Sequence, residues 1–590
     1  MDFFGVLQLI GGLCLFLFGM ETMGGGLTRA SGSKLEQILE NLTSSVPKGV
    51  LLGCVVTAVI QSSSATTVML VGFVNSGIMQ LRQAIPVIMG ANIGTTITAW
   101  LLSMTGIEGD NFFIQMLNPM SFSPILAVIA IVFILFSKNE RRKNLGYVFI
   151  GFAVLMYGMD MMSSSVEPLK DVPEFVNILT MFSNPVLGVA AGTFFTAAIQ
   201  SSSASVGILQ ALCMTGSISY ATVIPIIMGQ NIGTCITAIL SAIGANKGAK
   251  RVAAVHLSFN IIGTVLFLAL FYALNAVIGF GFMEKIAGAE DVALIHSLFN
   301  ICSTLVLMPF CRQLEKLAIV LVKDAPEQKA QDETLTVLDE RFMETPSVAV
   351  AQCRTAAHKM ASLSRDCINA AMNLVDTFDE DKFAYVDKLE SKIDRYEDAI
   401  GSYIVRLSSL DVTTADSKEL SMILHSIGDL ERISDHARNI AESAQELHRK
   451  KISFSPEARA ELAVFIKAVR EIVDMAVASF VEEDEKKAAL VEPLEEVIDA
   501  LRSEITNRHV RRLQSGRCTI ELGFILQDVG TDLERVADHC SNLAVCTIET
   551  KNDQFDMHHY ISDVKEYDKD HFAERVAAYE RKYVLPAPVA

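Results

Sequence analysis

Residues 49–77 read GVLLGCVVTAVIQSSSATTVMLVGFVNSG, and residues 186–217 read VLGVAAGTFFTAAIQSSSASVGILQALCMTGS. Each is a long apolar run broken midway by Gln-Ser-Ser-Ser: Gln61, Ser62, Ser63 and Ser64 in the first, Gln200, Ser201, Ser202 and Ser203 in the second. A helix needs about 17–25 apolar residues to cross a bilayer. Each limb here has only about 12–15, so neither run reads as a simple span. Four adjacent polar residues are costly in lipid unless they face protein or a water-filled cavity. Both runs therefore read as re-entrant hairpins whose breaks lie inside the protein.

The surrounding chain repeats at a constant offset of 139 residues. Gly12–Leu27 (GLCLFLFGMETMGGGL) returns as Gly151–Val166 (GFAVLMYGMDMMSSSV). Gly90-Ala91-Asn92-Ile93-Gly94-Thr95 returns as Gly229-Gln230-Asn231-Ile232-Gly233-Thr234. Apolar runs long enough to span occur near 3–23, 84–102, 121–137, 145–163, 223–243, 252–276 and 292–312. Residues 3–23 lack a basic leader and a small-x-small cleavage site, so they read as a retained membrane helix. Lys138, Arg141, Arg142 and Lys143 form the strongest basic loop, with Lys247, Lys250 and Arg251 in another; both are expected inside. Loop 103–120 carries Glu108 and Asp110 without a basic residue and is expected outside. Arg29, Lys34 and Lys48 then also fall inside, Met1 outside, and the C-terminal half in the cytoplasm. Each repeat (about 1–138 and 145–278) holds three crossings and one hairpin. Three is odd, so the second copy is inverted, an arrangement used by secondary transporters.

The site candidates follow from chemistry. Serine hydroxyls and the amide N–H groups of a broken helix donate to a tetrahedral oxyanion. Glutamine oxygens, hydroxyls and unwound carbonyls suit sodium, a hard cation. No membrane segment carries a central Lys or Arg, so a bound anion would need co-bound cations. Asn92, Thr95, Thr96, Asn231 and Thr234 either complete this site or cap kinks at Gly94 and Gly233. Glu21 and Asp160, at helix ends, read as structural. His256/Asn260 and His296/Asn300 each share a helix face; a metal or proton role and interhelical hydrogen bonding are both open.

Mean hydropathy is +0.37, yet the two halves differ. Residues 1–323 hold 16 Lys+Arg and 15 Asp+Glu; residues 324–590 hold 33 and 52. This acidity argues against nucleic acid as a partner. Eleven cysteines without a CxxC pair read as reduced thiols. Residues 324–345 read as a linker, 346–548 as helical, and 549–590 as an unassigned tail. A second repeat runs here: Val386–Ile400 (VDKLESKIDRYEDAI) matches Val491–Ile505 (VEPLEEVIDALRSEI), and Asp429–His436 matches Asp532–His539. Two three-helix units are expected. Glu390/Asp394, Glu431/Asp435, Glu495/Asp499 and Glu534/Asp538 are spaced i, i+4, each pair on one helix face. Like charges so placed repel; a metal such as Fe, Mn or Mg, or neutralisation by Arg432 and Arg535, would relieve them.

The paired Gln-Ser-Ser-Ser blocks with their following Asn-Ile-Gly-Thr resemble the type II sodium/phosphate cotransporter family over about residues 1–312. The acidic half resembles PhoU domains, whose Glu/Asp-x-x-x-Asp motifs match the four pairs. The first resemblance implies sodium-coupled symport of inorganic phosphate, a homodimer in the plasma (cell inner) membrane with its surrounding lipid, and sites at Gln61–Ser64 and Gln200–Ser203. Thr66, which is Ser205 in the second copy, and Thr96, which is Cys235, are weaker candidates. The second resemblance implies regulation of phosphate uptake, possible metal clusters on the paired carboxylates, and cytoplasmic partners. The expected fold is all-α: a polytopic membrane domain of inverted repeats with two re-entrant hairpins, plus two PhoU-like units. The alternative function is a phosphate sensor that does not transport. A diiron enzyme is disfavoured because His436 and His539 fall five residues after Glu431 and Glu534, not three; no GxSxG elbow frames the serines for hydrolysis.

Overall fold

The computed structural model describes residues 3–31, 45–76, 79–104, 119–168, 172, 181–323, 338–410, 412–549 and 569–587. Lys34, the acidic loop with Glu108 and Asp110, linker residues 324–337 and tail residues 550–568 and 588–590 lie outside them. The described residues are helical, with one isolated bridge between Ser219 and Ile286 and no strand. The chain divides into two compact units, Met1–Val348 and Ala349–Ala590.

In the first unit the helices are α1 (Phe3–Ser31), α2 (Val46–Ile60), α3 (Ser63–Asn75), α4 (Leu81–Ser103), α5 (Pro119–Phe136), α6 (Glu140–Val166), α7 (Pro185–Ile199), α8 (Ser202–Cys213), α9 (Tyr220–Ser241), α10 (Lys247–Ile278), α11 (Ala289–Leu307) and α12 (Cys311–Leu321). Seven helical stretches, α1, α4, α5, α6, α9, α10 and α11 continued through α12, are long and apolar enough to cross a membrane. They coincide with the seven expected spans, and the protein is a multi-pass membrane protein. The repeat is kept to the residue: α2 and α7, α3 and α8, and α4 and α9 each begin 139 positions apart.

The inversion is visible in how equivalent helices pack. A Cβ at Gly19 would lie 2.3 Å from Leu155 N, and one at Gly26 would lie 2.9 Å from Val148 N. One at Gly12 would lie 2.9 Å from Met162 N. Partner numbers fall as residue numbers rise, so α1 and α6 run antiparallel. Two repeat-equivalent helices facing each other antiparallel require a two-fold axis between the copies. By contrast, Gly90 of α4 abuts Val50 O and Gly94 abuts Cys54 O, so α2 and α4 run parallel; Gly229 with Val189 and Gly233 with Thr193 repeat this. Small residues let backbones approach where lipid offers no hydrophobic drive for association.

The symmetry extends past the repeated sequence. Thr304 of α11 donates to Met89 O (3.4 Å), and Thr264 of α10 donates to Met228 O (3.3 Å). Met89 and Met228 are repeat-equivalent, so α11 stands to the first copy as α10 stands to the second. The echo of His256-Leu-Ser-Phe-Asn260 in His296-Ser-Leu-Phe-Asn300 is thus the sequence trace of a fourth element in each copy.

Within the stretch read as a linker, residues 338–345 fold onto the first unit. Phe342, in the turn Glu340–Glu344, is fully buried against Gly72 and Phe73, with ring centroids 5.2 Å apart. Asn75 Nδ2 donates to Asp339 Oδ2 (2.7 Å), and Arg341 Nε donates to Ser241 O (2.7 Å).

The second unit holds α13 (Pro346–Asp376), α14 (Glu380–Leu407), α15 (Thr414–Lys450), α16 (Pro456–Glu482), the short α17 (Glu485–Ala488), α18 (Val491–Gln514), α19 (Ile520–Glu549) and α20 (Lys569–Lys582). α13 bonds to α15 through Ser364 and Leu430 O and to α14 through Cys367 and Val386 O, completing one three-helix unit; α16, α18 and α19 form the other, and α15 packs on α19. In the tail, α20 packs on α18.

A Cβ at Gly90 would sit 1.9 Å from Val50 O. Gly90→Ala should therefore destabilise the detergent-solubilised protein by about 1–3 kcal/mol, the usual cost of overpacking. Gly25→Ala, with nothing nearer than 3.8 Å, should leave the thermal transition unchanged. Fluorescence-monitored unfolding of both variants checks this.

Candidate functional site

The polar blocks are helix breaks. α2 ends at Gln61 (φ 59°, ψ 20°) and α7 at Gln200 (φ 60°, ψ 19°), both left-handed. A non-glycine residue pays strain there, so a symmetric pair marks a constrained reversal. Ser62 and Ser201 are then extended, and their hydroxyls cap α3 and α8 by accepting from Ala65 N (3.1 Å) and Ala204 N (3.2 Å). The limbs fold back on each other. Thr57 donates to Thr66 Oγ1 (3.1 Å), and Thr196 donates to Ser205 Oγ (2.8 Å).

The two breaks meet. Ser63 Oγ and Ser202 Oγ are 3.5 Å apart and both buried. These residues are themselves repeat-equivalent, so they lie on the two-fold axis. The N-termini of α3 and α8 converge on this point, with the C-terminal carbonyls of α2 and α7 beside them.

The other expected residues divide. Thr66 is spent on Thr57 and on Ser62 O (3.0 Å), which makes it a clamp of the hairpin. Thr95 and Thr234 donate to carbonyls one turn back, Ala91 O and Gln230 O, and Asn231 Nδ2 donates to Ile227 O. Asn92 Nδ2 is buried without a protein partner. Gln61 is buried and accepts from Thr98 (2.8 Å), whereas Gln200 is exposed. Ser64 is half-buried and Ser203 buried. Equivalent halves thus differ in access.

The sequence reading passed over Gln230 and Gln210. Gln230 Nε2 donates to Ser205 Oγ (2.9 Å), while Gln210 Nε2 bridges Ala99 O and Ala289 O. It also left the His/Asn pairs open. Both ring nitrogens of His256, and Oδ1 of Asn260 and Asn300, are buried without a protein partner. Asn260 Nδ2 reaches Cys235 Sγ (3.3 Å) on α9. The interior between α4, α9, α10 and α11 therefore holds polar atoms in excess of their protein partners.

In the second unit the four carboxylate pairs are treated unequally. Glu495, Asp499 and Asp538 place one oxygen each within 4.8 Å of one another. Burial, then Glu534 and Asp538, push the Asp499 carboxyl above its usual range, and its Oδ1 is buried without a partner. Glu534 is instead held by Arg502 (2.8 Å), and Glu390 by Arg438 (3.0 Å). Burial and Asp435 push Glu431 up. Arg432 stands 3.7 Å from Glu431 and 3.9 Å from Asp435, with Asp394 on an exposed face. Arg535 lies 3.1 Å from Asp538, as expected of a neutraliser, while Arg438 and Arg502, which the carboxylate spacing did not point to, stand slightly closer to their partners. Between the units of the repeat, His436 Nδ1 pairs with Asp532 and His539 Nδ1 with Asp429, each at 2.8 Å, and the rings stack.

The family model for Na+/Pi-cotransporters matches residues 15–164 and 156–285, and the PhoU domain model matches 357–444 and 464–547. YqeW of Bacillus subtilis strain 168 is 30% identical over 278 residues, 47% of this chain and 84% of YqeW. The chain belongs to the Na+/Pi-cotransporter family and carries a pair of PhoU domains. YjbB of Escherichia coli strain K12, provisionally named for inorganic phosphate export, is 24% identical over 547 residues, 92% of this chain and 97% of YjbB. The PhoU homolog 1 of Thermotoga maritima, named as an accessory protein of phosphate-specific transport, is 31% identical over 195 residues, 32% of this chain and 83% of that protein. Family members transport phosphate, and the family is one of transporters rather than enzymes.

The Asp499 environment yields a prediction. A carboxyl whose folded pKa is raised binds protons more tightly folded than unfolded, so its penalty grows as pH rises above the unfolded value near ~4. In chelator-treated full-length protein, Asp499→Asn should raise the melting transition at neutral pH, and the gain should shrink as pH falls through the raised pKa. A gain that grows on acidification would contradict this reading.

Proposed function

We propose that the protein moves inorganic phosphate across the membrane together with sodium, binding both where the two hairpin breaks meet. The meeting of Ser63 with Ser202 on the two-fold axis carries the reading. Two helix N-termini there supply roughly half a charge each, about one unit against a phosphate dianion. No Lys or Arg lies centrally in a membrane segment to make up the rest. Unit charges about 4 Å apart at an effective dielectric of about 20 attract by about 4 kcal/mol, so a sodium ion held by the α2 or α7 carbonyls and the Gln61 or Gln200 oxygen is worth more than any further hydroxyl. Coupling then follows from charge: phosphate binds well only with sodium present. The Ser63, Ser64, Ser202 and Ser203 hydroxyls donate to phosphate, Asn92 Nδ2 is a further free donor, and Asn231, Thr95 and Thr234 shape the wall. Ser62, Ser201 and Thr66 hold the breaks in place.

The hairpins enter from opposite faces, the first from the cytoplasm. Buried Gln61 and exposed Gln200 represent one side of an alternating-access cycle. Symport is reversible, so gradients set its direction. The similarity to YjbB along most of the chain favours a physiological role in export as well as uptake.

The PhoU pair lies in the cytoplasm, following the basic Lys138–Lys143 and Lys247–Arg251 segments, and modulates transport. Its path to the hairpin is the segment 338–345, which seats Phe342 on Gly72. Glu495, Asp499 and Asp538 fit a hard or first-row cation such as Mg, Mn or Fe, with Arg535 at 3.1 Å from Asp538 as its competitor, while Glu390, Glu431, Asp435 and Glu534 are partly neutralised by arginine and Asp394 is exposed. A homodimer is the proposed assembly.

Proteoliposomes test coupling in both directions. Phosphate flux should follow the imposed sodium gradient, inward or outward, and vanish when choline replaces sodium; undiminished flux in choline refutes sodium coupling. Ser63→Ala and Ser202→Ala should each weaken apparent phosphate affinity by about tenfold or more, the loss of one hydrogen bond to a charged ligand. Unchanged affinity in both would make these serines packing residues.

A further inference from the structure

Besides the Asp499 group, the second PhoU unit departs from the first at the end of its second repeated block. The register of Val386–Ile400 with Val491–Ile505 continues through Val405/Val510 and Arg406/Arg511. It sets Tyr403 opposite Arg508 and Leu407 opposite Arg512. Tyr403 and Leu407 are core residues, 4% and 0% exposed. In their place the second unit buries a charged cluster: Arg512 is 9% exposed and Glu461, from α16, only 3%. Glu461 accepts from Arg512 Nη1 (2.7 Å) and Arg508 Nη1 (3.4 Å). Replacing a buried ion pair by apolar residues is often neutral or stabilising, and the same chain shows the apolar solution in its first unit. Stability alone therefore gives no reason for the cluster.

The cluster floors a cleft of about 460 Å³ lined by Arg508, Arg511, Arg512 and Arg517, the α16 N-terminus at Ser455 and Pro456, and Pro586. A left-handed turn at Gly516 (φ 71°) brings Arg517 back, its N–H donating to Arg512 O (2.9 Å). Arg508 also bonds Glu504 and Pro586 O, while Arg511 is exposed. Among the described residues, Nε and Nη2 of buried Arg512 have no partner. The field is felt by Glu457 at the rim. Its carboxyl is held below the usual range by its own backbone N–H and the Ser455 hydroxyl, with Arg512 and Arg517 adding. In a half with 33 basic and 52 acidic residues, this is a local seat for negative charge.

We infer that this cleft is a binding site for a phosphoryl anion: orthophosphate, pyrophosphate or the polyphosphate of a nucleotide. Several guanidinium forks around a helix N-terminus suit a tetrahedral, multiply charged oxyanion. The site would give the PhoU pair its own reading of a phosphorylated ligand, and it does not rest on the transport reading.

Calorimetric titration of full-length protein in sodium-free detergent solution with orthophosphate, pyrophosphate and ATP tests it, with sulfate at matched ionic strength as the control. At least one phosphoryl anion should bind saturably, one per chain, and more tightly than sulfate. Which one binds identifies the source. Arg511→Ala with Arg517→Ala, both exposed positions, should weaken binding about tenfold or more. Glu461→Ala with Arg512→Leu, which takes Leu from the first unit, should keep the melting transition and lose binding. Ser63→Ala with Ser202→Ala should leave it intact. The inference is overturned if none of the three anions binds better than sulfate, if the arginine variants bind as well as the parent, or if binding is lost only with the serines.

Discussion

A helix that stops inside an apolar layer must find partners for the N–H and C=O groups it frees, and the rest of the membrane unit is arranged around two such stops. The Ser62 and Ser201 hydroxyls cap one side of each break, and the Thr57–Thr66 and Thr196–Ser205 bonds tie the limbs together. What remains unspent, the first-turn amides and the next serines, points into the protein. Close glycine contacts between α2 and α4 and between α7 and α9 hold each hairpin against a full span. The antiparallel α1–α6 pair then fixes one copy against the other, so the breaks are brought together by packing rather than by a bond between them.

Much of this was legible in the residues. The offset of 139 fixed helix register to the residue because both copies keep the same loop lengths. The odd number of crossings implied inversion, which the α1–α6 contact realises. The role of Thr66 was not legible: whether a hydroxyl serves a ligand or clamps a turn depends on the chain reversal at Gln61, which brings Thr57 beside it from nine residues back. Nor could the sequence separate Gln61 from Gln200, since identical motifs differ here only in what covers them. The His256 and His296 segments read as a metal or proton site or as interhelical hydrogen bonding, not as a fourth repeated element, because the bonds of Thr264 to Met228 and of Thr304 to Met89 are set only by three-dimensional packing.

The PhoU pair teaches a related lesson. Motif spacing presents four equivalent carboxylate pairs, yet Arg438 and Arg502 neutralise one member of each copy, Arg535 reaches Asp538, and among the described residues only Glu495, Asp499 and Asp538 close into a group. The reciprocal His436–Asp532 and His539–Asp429 bonds show the repeat acting as a two-fold pair. Departures from that symmetry, at the Asp499 group and at Arg508 and Arg512, are where chemistry beyond packing is concentrated.

The central claim is that phosphate sits between the two breaks. A cryo-electron microscopy map of the full-length protein in lipid nanodiscs, with phosphate and sodium, tests it most directly. The account predicts tetrahedral density within hydrogen-bonding distance of both Ser63 and Ser202, with those hydroxyls parted by the ligand. Ordered phosphate bound elsewhere in the membrane unit, with Ser63 and Ser202 still in mutual contact, would contradict it.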